Sequence, residues 1–327
     1  MSYIGGKQDR KLVIFHNLLE GKPVNVKDAS EYYGVSTKTI QRDIDGIRNF
    51  FSEIGEKTGE YKEVLYDRKN NNYYINGRGK LDAKEIFAVC KILLESRAFC
   101  NDEFMPILDR LIEHYSYEGE KRHIKTMVAN EKFHYVEPQH RKSLIDNIWE
   151  LSQAIKDRKS VKIKYERLTE PRHQERIIEP VGIMFSDYYF YLAAFIPEKK
   201  TDYPTIYRID RLKSFDVLNE TFEVPYKNRF EEGEFRKRVQ FMYGGELLRI
   251  KFKYYGESVE AILDRLPTAE VISNKNGVYT IKAEVFGRGI KPWILSQTDK
   301  IEVLEPKELR NEVKTLIAKM IGRYCYE

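Results

Sequence analysis

Two closely spaced arginines, Arg208 and Arg211, are the residues of this sequence best suited to binding an anion. They follow an almost uninterrupted apolar and aromatic run, Tyr189 to Ile196, of the kind that fills a strand buried on both faces. Arginine is rarely buried without a partner, and its guanidinium fork suits phosphate. In a regular strand the two side chains point to opposite faces, so they converge only if the strand breaks near Asp210. The alternative is a surface ion pair of Arg211 with Asp210 or Glu179, which contributes little to stability.

The composition is that of an ordinary globular protein with room for two or three domains. The chain has 327 residues, 42% of them hydrophobic and 33% charged, with a net charge of +5 and a pI near 8.7. A net positive charge favours polyanionic partners. Three cysteines without paired spacing predict neither a disulfide framework nor a zinc site. No signal peptide or membrane-length apolar run is seen, so a cytoplasmic location without membrane insertion is expected.

The first 80 residues are predicted to form several short helices separated by turns. After a helix over Arg10 to Leu19, the pattern predicts a helix over about Val26 to Tyr33, a tight turn at Gly34, and a second helix capped by Ser36. An apolar stripe runs along the second helix at three- and four-residue intervals, formed by Val35, Ile40, Ile44, Ile47 and Phe51. This layout is that of a helix-turn-helix, in which the second helix enters the DNA major groove.

The opposite face of the second helix, together with a following hairpin, carries the side chains expected to contact DNA. Residues 63 to 77 form two strand-like runs joined by a basic, asparagine-rich turn, which predicts a wing. Gln41 suits an adenine edge, and Lys38 or Arg42 a guanine edge or a phosphate. The predicted DNA-binding residues are Thr37, Lys38, Thr39, Gln41, Arg42, Arg68 and Lys69. The alternative is a small helical bundle whose basic residues are simply solvated.

The segment "VSTKTIQRDI" resembles the N-terminal helix-turn-helix of DeoR-like bacterial regulators, where a similar segment forms the DNA-reading helix. Lys38 stands where that pattern commonly has arginine. The substitution keeps the charge and loses the bidentate fork.

Residues 81 to 138 read as a helical linker that is also a candidate dimerisation segment. Cys90 lies on the apolar stripe of "LDAKEIFAVCKILLES" with Phe87 and Leu94, which favours a core role. The histidines of the segment, at 114, 123 and 134, lack metal-ligand spacing, so no metal site is predicted. A further helix is expected from about His140 to Lys156.

Short strands follow, closely spaced and without intervening helices, which predicts a small antiparallel barrel. The stretch resembles a WYL domain, a family with an Sm-like, SH3-type barrel. The triplet that names the family reads Phe190, Tyr191 and Leu192, and "YRIDRL" at 207 to 212 matches a companion pattern of the family. Arg176, Ile178 and Pro180 fit an upstream element read loosely.

The resemblance implies a ligand groove on the barrel surface. Arginines beside tyrosines form the kind of basic and aromatic surface that holds phosphates and stacks bases. The implied ligand-binding residues are Tyr165, Arg176, Tyr189, Tyr191, Arg208 and Arg211. The implied ligand is an anionic effector, either a nucleotide or a short single-stranded nucleic acid.

The last eighty residues predict the order β-α-β-β-α-β followed by a closing helix, which is the ferredoxin-like split βαβ. This part resembles the WCX extension that often follows a WYL domain. A linker is expected around "NRFEEGEFRKRVQFMYGGE". "GRGIKPW" is too weak for a phosphate loop and is expected to open the short helix that carries Trp293.

The predicted fold class is therefore a multidomain α+β chain with four parts. A winged helix-turn-helix spans 1–80, a helical linker 81–138, a WYL domain with a β-barrel 139–228, and a ferredoxin-like WCX domain 245–327.

Enzyme motifs are absent: the sequence shows no zinc-protease helix, nucleophile elbow, Walker loop or paired Cys-His spacing. The interpretation favoured is a homodimeric transcriptional regulator, without cofactor, that binds a double-stranded DNA operator and responds to an effector. Two alternatives stay open at this point. One is a nucleic-acid-processing accessory enzyme, and the other a DNA-binding protein whose barrel only dimerises.

Overall fold

The computed structural model divides the chain into two compact units. The first comprises Met1–Arg97 and Asn101–Val136, and the second Ala98–Cys100 and Glu137–Glu327. The residues that the structure describes are 6–58, 62–68, 70–77, 81–115, 118–168, 173–199, 201–223 and 231–325.

The first unit opens with three helices and a small sheet. These are α1 (Lys7–Leu19), β1 (Val24–Asn25), α2 (Val26–Tyr33), α3 (Thr37–Thr58), β2 (Lys62–Asp67) and β3 (Asn72–Gly77). Asn25 Oδ1 caps α2 by accepting from the backbone N–H of Lys27 at 2.9 Å. Gly34 ends α2 with φ +64°, a left-handed conformation that favours glycine. Ser36 Oγ accepts from Thr39 N–H at 3.2 Å, as its predicted capping role requires.

The apolar stripe predicted on α3 is confirmed as the core of this region. Ile40, Ile44, Ile47 and Phe51 are buried, and Val35 packs against them. Their partners come from α1 and from the antiparallel sheet, whose strand order is β1-β3-β2. On the first turns of α3 only the polar side, which carries Lys38, Gln41 and Arg42, is exposed, because the apolar side of the same turns is buried in this core.

Three further helices complete the first unit, namely α4 (Ala83–Ser96), α5 (Asn101–Tyr115) and α6 (Glu118–Phe133). A capping box starts α4: Asp82 Oδ1 accepts from Glu85 N–H, and Glu85 Oε2 accepts from Asp82 N–H, both at 2.8 Å. Cys90 is fully buried between Ile86 and Leu94, which confirms its core role, and this burial raises the pKa of the thiol.

The second unit begins with a helix and a five-stranded sheet. The elements are α7 (Ile145–Lys156), β4 (Lys159–Glu166), β5 (His173–Ser186), β6 (Tyr189–Phe195), β7 (Thr205–Arg208), a 3₁₀ turn (Ile209–Arg211) and β8 (Leu212–Thr221). Helix α7 starts five residues later than the predicted His140, because Arg141 has φ +51° and interrupts any helix there. The helix packs Leu151 and Ala154 onto the sheet core.

The strand order of this sheet is β7-β6-β5-β4-β8. The closed barrel predicted from the sequence is not seen, because within the described ranges β7 and β8 are edges with no ladder between them. The long β5 pairs with β4 through one part and with β6 through the other, and the register shifts between Pro180 and Gly182. Such a bulge bends a strand. The four-residue β7 then ends in the 3₁₀ turn instead of pairing with β8.

The C-terminal part has the element order predicted for it. It consists of α8 (Glu232–Arg238), β9 (Leu247–Tyr254), α9 (Val259–Arg265), β10 (Glu270–Lys275), β11 (Val278–Phe286), α10 (Ile290–Ser296), β12 (Ile301–Glu305) and α11 (Lys307–Tyr324). The antiparallel strand order is β10-β11-β9-β12. Helix α8 replaces part of the predicted linker, because Phe235 is buried and stacks on Phe286 at 5.1 Å.

Helix α10 opens after Gly289, as predicted, and buries Trp293 against Phe252 at a ring distance of 6.1 Å. A side chain at Gly289 would collide with the backbone carbonyl of Gln240, so close packing explains this glycine. The protein is thus a mixed α+β chain built on several antiparallel sheets. In the described ranges, no helix combines the length and the apolar character that crossing a membrane requires.

Candidate functional site

The strand that carries Arg208 breaks near Asp210, which is the condition under which Arg208 and Arg211 could converge. β7 ends at Arg208, and the 3₁₀ turn Ile209–Arg211 follows at once. Ile209 anchors the turn in the hydrophobic core, and the side chain of Asp210 is also buried. The turn therefore holds a carboxylate at the end of an edge strand, two residues from an arginine.

Arg208 and Asp210 form a two-point ion pair. Arg208 Nε donates to Asp210 Oδ1 at 3.0 Å, and Nη2 donates to Oδ2 at 2.7 Å. The side chains are 19% and 5% exposed, so solvent screens the pair only weakly. Burial is the largest single influence and lowers the pKa of Arg208, but the hydrogen bonds to Asp210, its negative charge and the two neighbouring tyrosines together outweigh burial, so the net shift is upward.

Asp210 was considered at the sequence level as a partner of Arg211. In the structure, the carboxylate of Asp210 pairs with Arg208 instead, because the 3₁₀ turn directs it back towards the end of β7. In the described part of the chain, Arg211 is half-buried and has no ion pair with Asp210 or Glu179.

Two tyrosines complete the surroundings of Arg208. Its guanidinium carbon lies 3.3 Å from the centroid of the Tyr189 ring, a cation–π contact. Tyr191 is the cross-strand partner of Arg208, and residues two apart share a face, so Tyr189 and Tyr191 lie on the same side. We call the group of Tyr189, Tyr191, Arg208 and Asp210 the Arg208 cluster.

Tyr191 is a hydrogen-bond donor over the whole physiological range. Burial raises the pKa of its hydroxyl to about 12, while the positive charge of Arg208 works in the opposite direction. A phenol in this state offers a proton to an acceptor and carries no charge that would repel an anion.

Tyr165 and Arg176 approach from the other face of the sheet. Arg176 pairs with Ile163 across the β4–β5 ladder, and Tyr165 lies two residues beyond Ile163, so both share the core-facing side. Tyr165 meets Tyr207 with ring centroids 5.1 Å apart, and its hydroxyl accepts from the backbone N–H of Arg208 at 3.3 Å. Tyr165 therefore contacts the backbone of Arg208 from the core-facing side of the sheet.

Arg176 is the charged neighbour of Tyr207. Burial raises the pKa of Tyr207, and Arg176 opposes that rise. Successive strand residues point to opposite faces, so Tyr207 and Arg208 face apart, and Arg176 lies on the side away from the Arg208 cluster. Of the predicted ligand-binding residues, Tyr189, Tyr191 and Arg208 therefore lie together. Tyr165 contacts this group through the backbone N–H of Arg208. Arg176 and Arg211 lie outside the group. A role for any of them in ligand binding stays a prediction.

Sequence reasoning missed residues that support the cluster from a distant segment. Lys142 Nζ donates to the backbone carbonyl of Asp210, and the His140 ring lies 6.2 Å from that of Tyr189. Both precede α7, far from the turn in sequence. No local pattern indicates such contacts, since they depend on how the chain leading into α7 passes the sheet.

Most of the predicted DNA-contacting residues lie at the start of α3. Thr37, Lys38, Gln41 and Arg42 are exposed there, whereas Thr39 is half-buried with its Oγ1 2.9 Å from Ser36 Oγ. Arg68 is exposed at the turn after β2. Lys69 lies outside the described residues.

Other charged residues of α3 have structural contacts. Asp43 is buried and accepts from Arg10 Nε at 2.7 Å. Arg48 is partly exposed and donates from Nε and Nη2 to the carbonyl of Val64 at 3.3 and 3.2 Å. The Asp43–Arg10 pair links α3 to α1, and the Arg48 hydrogen bonds link α3 to β2.

Two family models match the second unit. Residues 146–217 match the WYL domain and residues 246–321 the WCX domain. The chain contains a WYL domain followed by a WCX domain. The Arg208 cluster lies entirely within the WYL domain. Neither match reaches the N-terminal residues, so the likeness of "VSTKTIQRDI" to DeoR-like regulators stays a prediction.

The solved structures to which this chain is similar are distant from it in sequence. Proteasome accessory factor B/C of Arthrobacter aurescens is 13% identical with a TM-score of 0.33, and a CRISPR Cas-related protein is 15% identical with a TM-score of 0.39. Each alignment covers 99% of this chain, but only 50% of the first protein and 88% of the second, so the chain spans about half the length of the former. At these TM-scores the likeness supports no conclusion about function. A comparison with curated proteins gave no match.

Proposed function

We propose that this protein is a transcriptional regulator that binds double-stranded DNA through its N-terminal unit and an anionic effector through its WYL domain. The observation that carries the proposal is the start of α3, where Lys38, Gln41 and Arg42 are exposed on one side while the apolar side of the same turns is buried. Exposed amide and cationic side chains at the start of a helix suit base edges and phosphates in the major groove.

The N-terminal elements support a winged helix-turn-helix. A turn at the left-handed Gly34 separates α2 from α3, and Arg68 is exposed at the turn of the β2–β3 hairpin. In such domains the second helix enters the major groove and the wing contacts the backbone. One module contacts too little DNA for high specificity, which favours a homodimer on a pseudo-palindromic operator.

The strand orders support the finer assignments proposed for the second unit. The order β10-β11-β9-β12, with β-α-β-β-α-β along the chain, is that of a ferredoxin-like domain. In the WYL domain, a five-stranded bent sheet whose last two strands flank a 3₁₀ turn supports an SH3-type arrangement.

The Arg208 cluster is the proposed sensor. Asp210 engages Nε and Nη2 of Arg208, so Nη1 keeps its N–H donors for a ligand phosphate. The neutral hydroxyl of Tyr191 adds a donor on the same face. Since Asp210 offsets the charge of Arg208, binding relies on directed hydrogen bonds and aromatic contacts more than on net charge. A nucleotide or a short single-stranded nucleic acid combines the phosphate and the bases that such a surface suits.

Regulation requires the effector to favour one arrangement of the DNA-binding modules over another. A coupling of about 1 to 3 kcal/mol changes operator affinity roughly 5- to 150-fold. We propose no catalytic activity. Turnover of labelled oligonucleotide by the purified protein would support the enzyme alternative instead.

The operator and the effector are accessible to direct experiment. Selection from random double-stranded DNA should yield a preferred site, and mass spectrometry of the denatured protein should identify a copurifying nucleotide or oligonucleotide. Fluorescence anisotropy then measures operator affinity with and without that compound. A protein that selects no sequence above its non-specific binding contradicts the proposal.

Variants separate the sensor from the DNA-binding surface. Arg208→Lys keeps a charge beside Asp210 but loses the fork, and should leave basal operator affinity nearly unchanged while abolishing the response to the effector. Arg211→Ala tests the predicted second arginine in the same assay. Arg249→Ala, an exposed arginine in the WCX domain, serves as the control. If Arg208→Lys and Arg211→Ala both respond as the parent does, the cluster is not the sensor.

A further inference from the structure

Helix α8 and the residues that follow it pack on the face of the WYL sheet that also carries the Arg208 cluster. Tyr191 pairs across this sheet with Arg208. The next pair on that face, one step further along the same two strands, is Ala193 with Ile206. We call the apolar cluster around Ala193 the α8 contact; its buried members are Met184, Ala193, Phe235, Val239 and Met242. Tyr191 and Ile206 pack against it, so the proposed sensor adjoins the α8 contact.

The α8 contact also reaches the WCX domain. Phe235 stacks on Phe286 of β11 with ring centroids 5.1 Å apart, and Val239 forms a parallel bridge with the same residue. Arg238 adds a polar link, since its Nε and Nη2 each donate to Glu284 Oε2 on β11 at 3.4 Å. One short element therefore contacts the sheet of each domain.

The chain after α8 is held tightly between the two domains. A side chain at Gly244 would collide with the backbone carbonyl of Pro204, between β6 and β7, and a side chain at Gly287 would collide with the carbonyl of Gly244. Phe241 and Met242 have φ +49° and +54°, in the left-handed region that non-glycine residues rarely adopt. Such a conformation persists only where the surroundings hold it, so loosening the contact with either domain lets the segment relax.

We propose that the segment 232–244 transmits effector binding from the Arg208 cluster to the WCX domain. Tyr191 is the link, because its hydroxyl is offered to the effector while its ring packs against the α8 contact. An effector that accepts this hydrogen bond holds the ring in place, and so favours the clamped arrangement of the segment over the relaxed one. A ligand shifts a population only through such a difference in affinity between two arrangements. The inference rests on the proposed sensing role of the Arg208 cluster.

Thiol labelling tests the coupling without any ligand. Met242→Cys is placed in a Cys325→Ser background, in which Cys100 is buried in the same unit and reports opening of that unit as a whole. Under native conditions a maleimide should label the thiol introduced by Met242→Cys at least about tenfold faster than Cys100, because local opening costs less free energy than global unfolding. Mass spectrometry of proteolytic peptides gives both rates from one sample.

Removal of the Tyr191 ring shows whether the sensor controls this opening. Tyr191→Ala should raise the ratio of the two labelling rates by a further factor of about ten, since it removes an aromatic ring packed against the α8 contact. The control Ile148→Ala, on α7 at the other face of the sheet, should leave the ratio unchanged or lower it. A ratio for Tyr191→Ala no higher than that for Ile148→Ala overturns the inference.

Operator binding tests the consequence for regulation. Gly244→Ala forces a methyl group against the carbonyl of Pro204, whereas Gly233→Ala on α8 meets nothing and is the matched control. Both should bind a 5′-phosphorylated oligothymidylate within about twofold of the parent, but only Gly244→Ala should lose the roughly 5- to 150-fold change in operator affinity that this probe causes. A full response in Gly244→Ala also overturns the inference. If the parent does not bind the probe, the proposed effector class fails by itself and the labelling ratios still decide the coupling.

Discussion

The guanidinium of Arg208 and the buried carboxylate of Asp210 hold each other in a two-point contact at the break between β7 and the 3₁₀ turn. The tyrosine ring of Tyr189 covers the guanidinium face, and the ammonium of Lys142 binds the carbonyl of Asp210. One arginine therefore has a structural role and a proposed sensing role, which determines how its variants behave.

Arg208→Ala should destabilise the second unit, because it leaves Asp210 buried without its partner. Breaking a buried pair from one side costs about 3 to 5 kcal/mol, and the partial exposure of Arg208 places the expected loss near the lower value. Urea unfolding measures it. Arg211→Ala should change the free energy of unfolding by less than about 0.5 kcal/mol. A loss that small for Arg208→Ala would show that the pair is solvated.

Arg10→Ala should destabilise the N-terminal unit and weaken DNA binding indirectly. The partner, Asp43, is buried in α3, and uncompensated burial of its charge costs about 3 to 5 kcal/mol. The double variant Arg10→Met, Asp43→Leu should recover most of the loss, because apolar side chains fill the space without any charge. Asp45→Ala, at an exposed pair with Arg48, is the control. Equal stability of Arg10→Ala and Asp45→Ala would contradict the expectation.

The stability of the second unit should fall at high pH through Tyr191. An unfolded tyrosine has a pKa of about 10, and burial raises that of Tyr191 to about 12. The folded state therefore holds a proton that the unfolded state has lost between these values, and this stabilisation, complete below about pH 10, disappears as the pH rises towards 12. Urea unfolding from about pH 9 to about pH 11.5 should show a shallower fall for Tyr191→Phe than for the parent. The exposed Tyr324→Phe should follow the parent.

Arg42→Ala should weaken operator binding in one of two distinguishable ways. Loss of a phosphate contact reduces the salt slope by about one and affects all sequences, whereas loss of a base contact costs about 1 to 3 kcal/mol and relaxes specificity at one base pair. Anisotropy titrations at several salt concentrations separate the two. Lys57→Ala, at the far end of the same helix, should change neither quantity. Unchanged affinity of Arg42→Ala at physiological salt would remove Arg42 from the interface.

Features set by neighbours in the chain could be predicted from the sequence. The capping of α3 by Ser36, the turn at Gly34 and the buried stripe on α3 follow from local hydrogen bonding and helical spacing. The element order of the WCX domain follows in the same way, since alternating and helical apolar patterns each specify their own element. A break near Asp210 was considered only as the condition for the two arginines to share a site; the break is present, but Arg211 lies outside the Arg208 cluster.

Which side chains contact one another at the candidate site was decided only by the tertiary structure. The sequence by itself determined that Arg208 and Asp210 lie two residues apart, but the 3₁₀ turn decided that they pair and that Arg211 does not. Strand register decided that Arg176 faces the core side beside Tyr207, away from the Arg208 cluster. The physical reason is that side-chain contacts across a sheet depend on register and on bulges, which arise from packing between segments far apart in the chain.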